Sequence, residues 1–510
     1  MRTMRFRELL GEGEFLQMLG ASDVEITGIS YRSQDVSKGN VFVAIPGTKT
    51  DGHRFIPDAL SHGARALIVK EPPQVLPQSV AVAVVEDPRR AMAYASARFY
   101  GNPSQKIELF GITGTNGKTT TTYLLESILQ SAGKNPAVIG TVNYRLRDFV
   151  QNATVTTPES VDIQHLLFQM IQRGADCAVM EISSHALDQG RVYGLKFAVR
   201  AFSNLSRDHL DYHGDMESYW KAKEKFFVAS EFEDSGLIAV NADDLYGMKL
   251  IAGMPRKVLP YGVETQLPEA VRVDKCEING EGIYARIVSR KNEYEIHSKL
   301  VGRTNLYNIL CAIAMAEVAG IEKRAIVAGI ENLTVVPGRL EKVPNDKGVL
   351  VFVDYSHTPD ALEKAIITLK EITTGRLLVV FGCGGDRDRG KRPIMGKIAT
   401  TMANAAVITS DNPRSENPMA IIEEILAGAE GDRVSFPPAN FERNSHIYWV
   451  EPERKSAIFQ AIECARENDA VLIAGKGHEN YQILGNARIP FDDREVAKEA
   501  LEVKVKGTAK

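Results

Sequence analysis

The chain has 510 residues, room for about three to four domains with large cores. Its net charge of -4, with both signs spread evenly, argues against a nucleic-acid face and against a polybasic membrane patch. A small anionic substrate held in a local site fits this balance better.

Cys177, Cys276, Cys311, Cys383 and Cys464 are odd in number, scattered and without CxxC spacing, which indicates a reducing compartment and no disulfide framework. The basic start, Met1 to Arg7, is followed by no apolar core of signal-peptide length, and no run approaches the roughly 20 apolar residues of a membrane span. A cytoplasmic protein, monomeric, is the expectation.

In chain order, a first small α/β block runs to Gly101-Asn102-Pro103, with strands predicted at 40–45 and 66–69 and helices at 56–62 and 89–100. It lacks a phosphate loop. A strand at 107–110 then leads into Gly111-Ile112-Thr113-Gly114-Thr115-Asn116-Gly117-Lys118-Thr119 and a helix over 120–130. Backbone N–H groups of such a loop, the dipole at the helix start and the Lys118 ammonium favour a polyphosphate, and the Thr119 hydroxyl can reach Mg²⁺. The loop is a shortened variant, because only Thr115 and Asn116 separate Gly114 from Gly117. ATP or GTP is the first ligand expected.

Strands at 137–140, 177–182, 197–204 and 237–241 alternate with helices at 160–173 and 215–229, which predicts a mainly parallel sheet covered on both faces, with ligands at the carboxyl ends of its strands. A polar stretch over 255–300 is read as an antiparallel flap, followed by a helix over 305–319. Pro337-Gly338 marks a hinge; strands at 349–354, 377–381, 405–409 and 471–474 then make a third α/β block, ending in a polar tail at 504–510. The predicted domains are 1–103, 104–337 and 338–510.

Glu181 ends the strand at 177–182 and is a carboxylate suited to Mg²⁺ beside Thr119; a capping or surface role is equally open. Lys223 falls within the stripe Met216, Tyr219, Trp220, Phe226 and Phe227, spaced as one helical face. Such a lysine either snorkels outward or, if desolvated, offers a neutral amine that CO₂ can carbamylate into an oxygen ligand. In the third block, loops containing Arg387, Asp411-Asn412-Pro413-Arg414 and Gly475-Lys476-Gly477-His478-Glu479 follow three strands. Arginine grips carboxylates and acidic groups hold ammonium, so this rim suits an amino acid; Asn-Pro and Gly-rich runs also make turns by themselves.

Over nearly its whole length the chain resembles the Mur ligases of peptidoglycan synthesis. The resemblance is carried by Thr113 to Thr119, Met180-Glu181-Ile182-Ser183-Ser184-His185, Leu205-Ser206-Arg207-Asp208-His209-Leu210-Asp211-Tyr212-His213, Asp354-Tyr355-Ser356-His357-Thr358-Pro359 and Asp411 to Arg414. It implies a three-domain α/β protein: a uridine-nucleotide domain, a central P-loop ATPase on a mainly parallel sheet, and a carboxyl-terminal Rossmann-like domain that closes with the amino acid. ATP would contact Gly114, Thr115, Asn116, Gly117, Lys118, Thr119 and Thr120, with Asn305, Arg339, Asp354 and His357 completing its site. Tyr31, Ser33, Thr48, Lys49, Thr50, Thr156, Thr157, Ser183, Gln189 and Arg191 would hold UDP-N-acetylmuramoyl dipeptide. Arg387, Asp411, Asn412, Pro413, Arg414, Gly475 and Glu479 would hold meso-diaminopimelate, whose second carboxylate Arg414 can pair.

One metal would use Thr119 and Glu181, a second His209 and carbamylated Lys223, with Lys118, Lys223 and His209 as the catalytic set. The family's Asp-Ser-Arg in the uridine domain is here Arg32-Ser33-Gln34, and Val155 stands where some relatives have Asn. The implied reaction is ATP-dependent amide formation through an acyl phosphate. The alternatives are a lysine-adding ligase of the same family, a folylpolyglutamate synthase, or a nucleotide-binding regulator with ATPase activity.

Overall fold

Continuous apolar runs such as Ala66–Val69, Cys177–Glu181 and Ala470–Ala474 are buried along their full length, as strands of a parallel sheet covered on both faces must be. The computed structural model describes residues 2–11, 13–47, 50–75, 77–232, 236–254, 258–435 and 441–504. Its α/β architecture is built on three large sheets, of five, eleven and seven strands. No described helix is long and apolar enough to cross a membrane.

The five-stranded sheet orders Gln17–Leu19, Ala81–Val84, Ala66–Val69, Asn40–Val43 and Gly28–Ser30, parallel except for the first. The helix Pro88–Phe99 covers it with Ala91, Met92, Ala95 and Phe99. Asp87 caps that helix by accepting from the N–H groups of Arg89 and Arg90, and Pro88 supplies the fixed φ of its first turn.

In the eleven-stranded sheet, Glu108–Thr113 lies between Cys177–Glu181 and Val199–Phe202, parallel to both. Register sets Glu181 opposite Ile112 and Phe202 opposite Thr113, so three loops leave the sheet at one edge. The strand expected over 197–204 spans only Val199–Phe202; Ser203 and Asn204 belong to the loop and turn their side chains to the phosphate loop.

The antiparallel strands expected over 255–300 are present from residue 271 on, and they continue the central sheet. Val258–Gly262 pairs parallel with both Leu237–Asn241 and Val271–Asn279, and the antiparallel strands Gly282–Val288 and Glu293–Ser298 extend the same sheet. Its alternating pattern reflects one covered face: Val271, Ile283, Ile287, Tyr294 and Ile296 pack in one core with the helix Arg303–Val318. The sequence reading also passed over the hairpin Asn143–Leu146 with Phe149–Asn152, whose polar side chains hide a strand signal.

The seven-stranded sheet orders Glu341–Lys342, Leu350–Asp354, Ala470–Ala474, Leu377–Phe381, Ala405–Ile408, Ile447–Val450 and Asp432–Arg433. All pairs but the first are parallel, so the loops after Asp354, Phe381, Ile408 and Ala474 open on one rim.

Candidate active site

The phosphate loop begins where Glu108–Thr113 ends, and Lys118 opens the helix Lys118–Ser131. Gly117 has φ +88°, and a Cβ there would meet Asn308 Oδ1 at 2.3 Å, so the position demands glycine. The loop is held from the neighbouring strand: Thr115 N donates to Asn204 O at 2.8 Å, Asn116 N to Asn204 Oδ1 at 3.0 Å, and Ser203 Oγ to Asn116 O at 2.6 Å. Lys118 Nζ folds back to donate to Gly114 O and Thr115 O, both at 2.8 Å.

Thr119 Oγ1 donates to Glu181 Oε2 at 3.0 Å and accepts from Arg339 Nη2 at 3.2 Å. Glu181 is buried and also accepts from Thr141 N and Thr141 Oγ1, each at 2.9 Å. A hydroxyl and a carboxylate side by side on one cavity wall are the hard oxygen donors that Mg²⁺ takes, and they suit an ion that keeps waters and phosphate oxygens in its shell.

Lys223 does not snorkel. It is buried on the helix Met216–Val228, donates to Gly114 O at 2.9 Å and lies 4.8 Å from the Tyr219 ring centroid. Burial, reinforced by the Lys118 charge, holds its pKa well below the ordinary lysine range. That favours the neutral amine, the form that reacts with CO₂. His209, in the left-handed region at φ +53°, sets its ring edge-on to His185 at 4.9 Å and faces Asp208 at 3.5 Å.

One cavity of about 330 Å³ unites residues 114–120 with Glu181, His209, Lys223, Thr156 and Ser183 of the central unit. Asn305, Arg339, Asp354 and His357 complete its wall. Asp354, raised in pKa by burial, accepts from Leu340 N at 2.7 Å and from Ser356 Oγ; Asn305 donates to Val301 O at 2.9 Å.

A second cluster adjoins this cavity through Glu181. Thr157 Oγ1 donates to Glu181 O at 2.8 Å and accepts from Ser183 N at 3.0 Å. Arg191 donates to Thr157 O at 2.9 Å and, through Nε and Nη2, to Gln189 Oε1 at 3.0 and 2.7 Å. Thr156 Oγ1 lies 3.1 Å from Thr141 Oγ1. Val155 leaves its side chain exposed, and its carbonyl takes the Tyr144 hydroxyl at 2.6 Å.

Tyr31, Ser33 and Thr50 stand apart in the first unit. Tyr31 donates to Asp162 at 2.9 Å, in the first turn of the helix Ser160–Gln172. Glu159 pairs with both Arg89 and Arg191 at 3.1 Å, a second tie between the first and central units. Ser33 is buried at the start of the turn Ser33–Asp35, and Thr50 O accepts from Gly47 N at 3.2 Å. Thr48 and Lys49 lie outside the described residues.

In the third unit Asn412 Nδ2 donates to Glu479 Oε2 at 2.8 Å. Gly475, at φ +119°, lets Asp411 approach: a Cβ there would sit 2.7 Å from Asp411 Oδ2. Arg414, at φ +53°, donates to Gly385 O at 2.7 Å and follows the buried Pro413. Arg387 is not drawn into this cluster; it is exposed and donates to Asp386 O at 3.0 Å. Tyr355 links rim and cavity, with Arg339 5.0 Å and His478 5.1 Å from its ring centroid.

Two residues beyond those given a role from the sequence belong to the site. Lys476 is fully buried, donates to Asn412 Oδ1 at 3.1 Å and pairs with Asp411 at 3.6 Å and Glu479 at 3.5 Å. Its glycine neighbours were the available signal. Thr141, which supplies two donors to Glu181, carried none.

Three family models cover the chain: Mur ligase family, catalytic domain, over residues 25–100; Mur ligase middle domain, over 112–316; and Mur ligase, glutamate ligase domain, over 338–477. The chain is 45% identical over 503 residues, 96% of each protein, to a UDP-N-acetylmuramoyl-L-alanyl-D-glutamate--2,6-diaminopimelate ligase of Geobacter metallireducens. Among solved structures, one of a UDP-N-acetylmuramoyl-L-alanyl-D-glutamate--2,6-diaminopimelate ligase is 32% identical, with a TM-score of 0.71 over 98% of this chain and 99% of that one. A MurF ligase from Thermotoga maritima, solved in complex with ADP, shares the fold at 18% identity and a TM-score of 0.58 over 93% of this chain and 97% of that one. Family models in all three sheet units, together with a relative 45% identical almost end to end, establish that this chain belongs to the Mur ligase family.

Proposed function

We propose that this protein is the ATP-dependent ligase that joins meso-diaminopimelate to the γ-carboxylate of D-glutamate in UDP-N-acetylmuramoyl-L-alanyl-D-glutamate, a step of peptidoglycan precursor synthesis. The observation that carries this reading is the single cavity in which the phosphate loop and Glu181 face Arg339 and Asp354, with the Asp411–Arg414 and Gly475–Glu479 loops on the adjoining rim. The names of the relatives point the same way. Residues 1–103 are assigned to the uridine nucleotide, 104–337 to ATP and 338–510 to the amino acid.

In the first step the substrate carboxylate attacks the γ-phosphorus of ATP, giving an acyl phosphate and ADP. In the second, the amine of diaminopimelate attacks the acyl carbon and phosphate leaves. Two anions must meet in the first step, so the work of the protein is charge neutralisation and alignment. Lys118 swings from its backbone acceptors to the phosphates, while Arg339 approaches from the third unit and screens the intermediate from water. Mg²⁺, when bound by Thr119 and Glu181, neutralises phosphate charge. A CO₂-derived carbamate on Lys223, with His209, would offer a second oxygen and nitrogen set.

Thr156, Thr157, Ser183, Gln189 and Arg191 form the wall for the muramoyl-dipeptide, with Tyr31, Ser33 and Thr50 at the uridine end. Asp411, Asn412 and Glu479 receive the ammonium of the incoming amino acid, and Arg414 its distal carboxylate. The test is phosphate release from ATP with the dipeptide nucleotide, comparing meso-diaminopimelate with L-lysine and weighing the product by mass. Release with diaminopimelate alone is expected; equal release with lysine, or release independent of both, overturns the assignment.

A further inference from the structure

Asp360 belongs to the first turn of the helix Pro359–Ile372 in the third unit, yet it grips two loops of the central unit. Its Oδ2 accepts from Asn116 Nδ2 of the phosphate loop at 2.8 Å and from Ser206 Oγ at 2.9 Å. Lys364, one turn along, donates to the same oxygen at 2.9 Å and aims the carboxylate. Asn116 Nδ2 also reaches Ser206 Oγ at 3.4 Å, so the three side chains close a triangle.

The two loops so joined carry the chemistry on either side of the cavity. Asn116 precedes Gly117 and Lys118, while Ser206 leads into Asp208 and His209. The main chain of Asn116 is fixed from within the central unit by Ser203 and Asn204, and Ser206 N is fixed by Thr115 Oγ1 at 3.0 Å. The Asn116 amide and the Ser206 hydroxyl take their partner from the third unit. A lone carboxylate near a helix start would need only the helix N–H groups; this one is spent across the junction.

We propose that Asp360 is a positioning residue for phosphoryl transfer, a latch that adds to the Thr115–Ser206 tie and, while the third unit is docked, fixes the Asn116 and Ser206 side chains of the two loops against each other. The proposal rests on the ligase reading for its kinetic consequence. It rests on geometry alone for its effect on the loops. Docking of the amino-acid unit would thereby be registered at the nucleotide before an acyl phosphate forms.

The test compares full-length wild type with Asp360→Ala and Asp360→Asn. Asparagine keeps an acceptor oxygen for Asn116 and Ser206. With saturating substrates, Asp360→Ala is expected to lower kcat about ten- to hundredfold, the cost of a small misalignment of reacting groups, with little change in KM for diaminopimelate. Asp360→Asn should recover most of that loss, and Ser206→Ala combined with Asp360→Ala should cost no more than Asp360→Ala alone.

Amide hydrogen exchange over 114–120 and 205–209 supplies a readout independent of catalysis. It should quicken in Asp360→Ala and return to wild-type rates in Asp360→Asn. Unchanged exchange, or equal losses in both variants with a lowered Tm, overturns the latch. Loop exchange that responds as described in a wild type that releases no phosphate with diaminopimelate would keep the latch and overturn the ligase reading.

Discussion

Lys118 and Lys223 donate to the same carbonyl oxygen, that of Gly114, at 2.8 and 2.9 Å. Two ammonium groups on one acceptor repel, and Lys118 is one cause of the lowered Lys223 pKa after burial itself. Burial lowers the pKa of Lys118 too, opposed by the charges of Glu181 and Asp208, while Lys223 is pushed further toward the neutral amine.

Lys223 makes stability depend on pH. Between its lowered native pKa and about 10.4, the unfolded chain binds the proton that the folded chain refuses, so stability rises with pH across that window. Urea unfolding in CO₂-free buffer at pH 7 and pH 9 should show wild type gaining on Lys223→Met as pH increases. A pH-independent difference would contradict the neutral-amine assignment.

Lys223→Ala should lose ligase activity that high bicarbonate cannot restore, because the amine that would form the carbamate is gone. Steady-state turnover of wild type and variant with and without added bicarbonate checks this. Near-normal turnover by the variant would remove the carbamate from the reading.

Arg414→Lys should separate the two candidate amino acids. A planar fork that pairs a carboxylate bidentately is replaced by a point charge, so KM for meso-diaminopimelate should rise about tenfold, in line with ~1.4 kcal/mol, while any residual turnover with L-lysine stays unchanged. Equal effects on both would mean that Arg414 shapes the loop through Gly385 and does not read the distal carboxylate.

Arg454 and Asp493 form a fully buried pair at 2.7 Å behind the amino-acid rim, with Arg454 also donating to Ala474 O at 3.0 Å. Asp493→Ala strands a guanidinium in the core and should destabilise the third unit by about 3–5 kcal/mol in denaturant unfolding. Loss below about 1 kcal/mol would show that water or a neighbouring carbonyl replaces the carboxylate.

Where local chemistry and fold agree, the sequence was legible. Gly114 and Gly117, followed by Lys118, announced the phosphate loop because only glycine tolerates the backbone and contacts at those two positions, while the apolar stripe around Lys223 left burial and snorkelling both open until the fold decided for burial. What could not be read was pairing at a distance. The alternation over 258–300 shows antiparallel strands but not their partner: Val258–Gly262 pairs with Leu237–Asn241 and joins them to the central sheet, and the helix Arg303–Val318 covers their apolar face. Thr141, Lys476 and Asp360 matter through partners 40, 64 and 244 positions away, and nothing in their own neighbourhoods marks those partners.

The ties from Tyr31 to Asp162 and from Arg89 to Glu159 give the molecule a ruler. Both acceptors sit at the start of the helix Ser160–Gln172, directly after Thr157, which is itself bonded to the carbonyl of Glu181. The spacing between the first unit and the phosphate loop is therefore set through one short stretch of chain, residues 157–162, pinned by side-chain contacts at both ends. If the first unit holds the nucleoside as proposed, a precursor of another length meets this fixed spacing with its carboxylate displaced, so length itself becomes a criterion for selection.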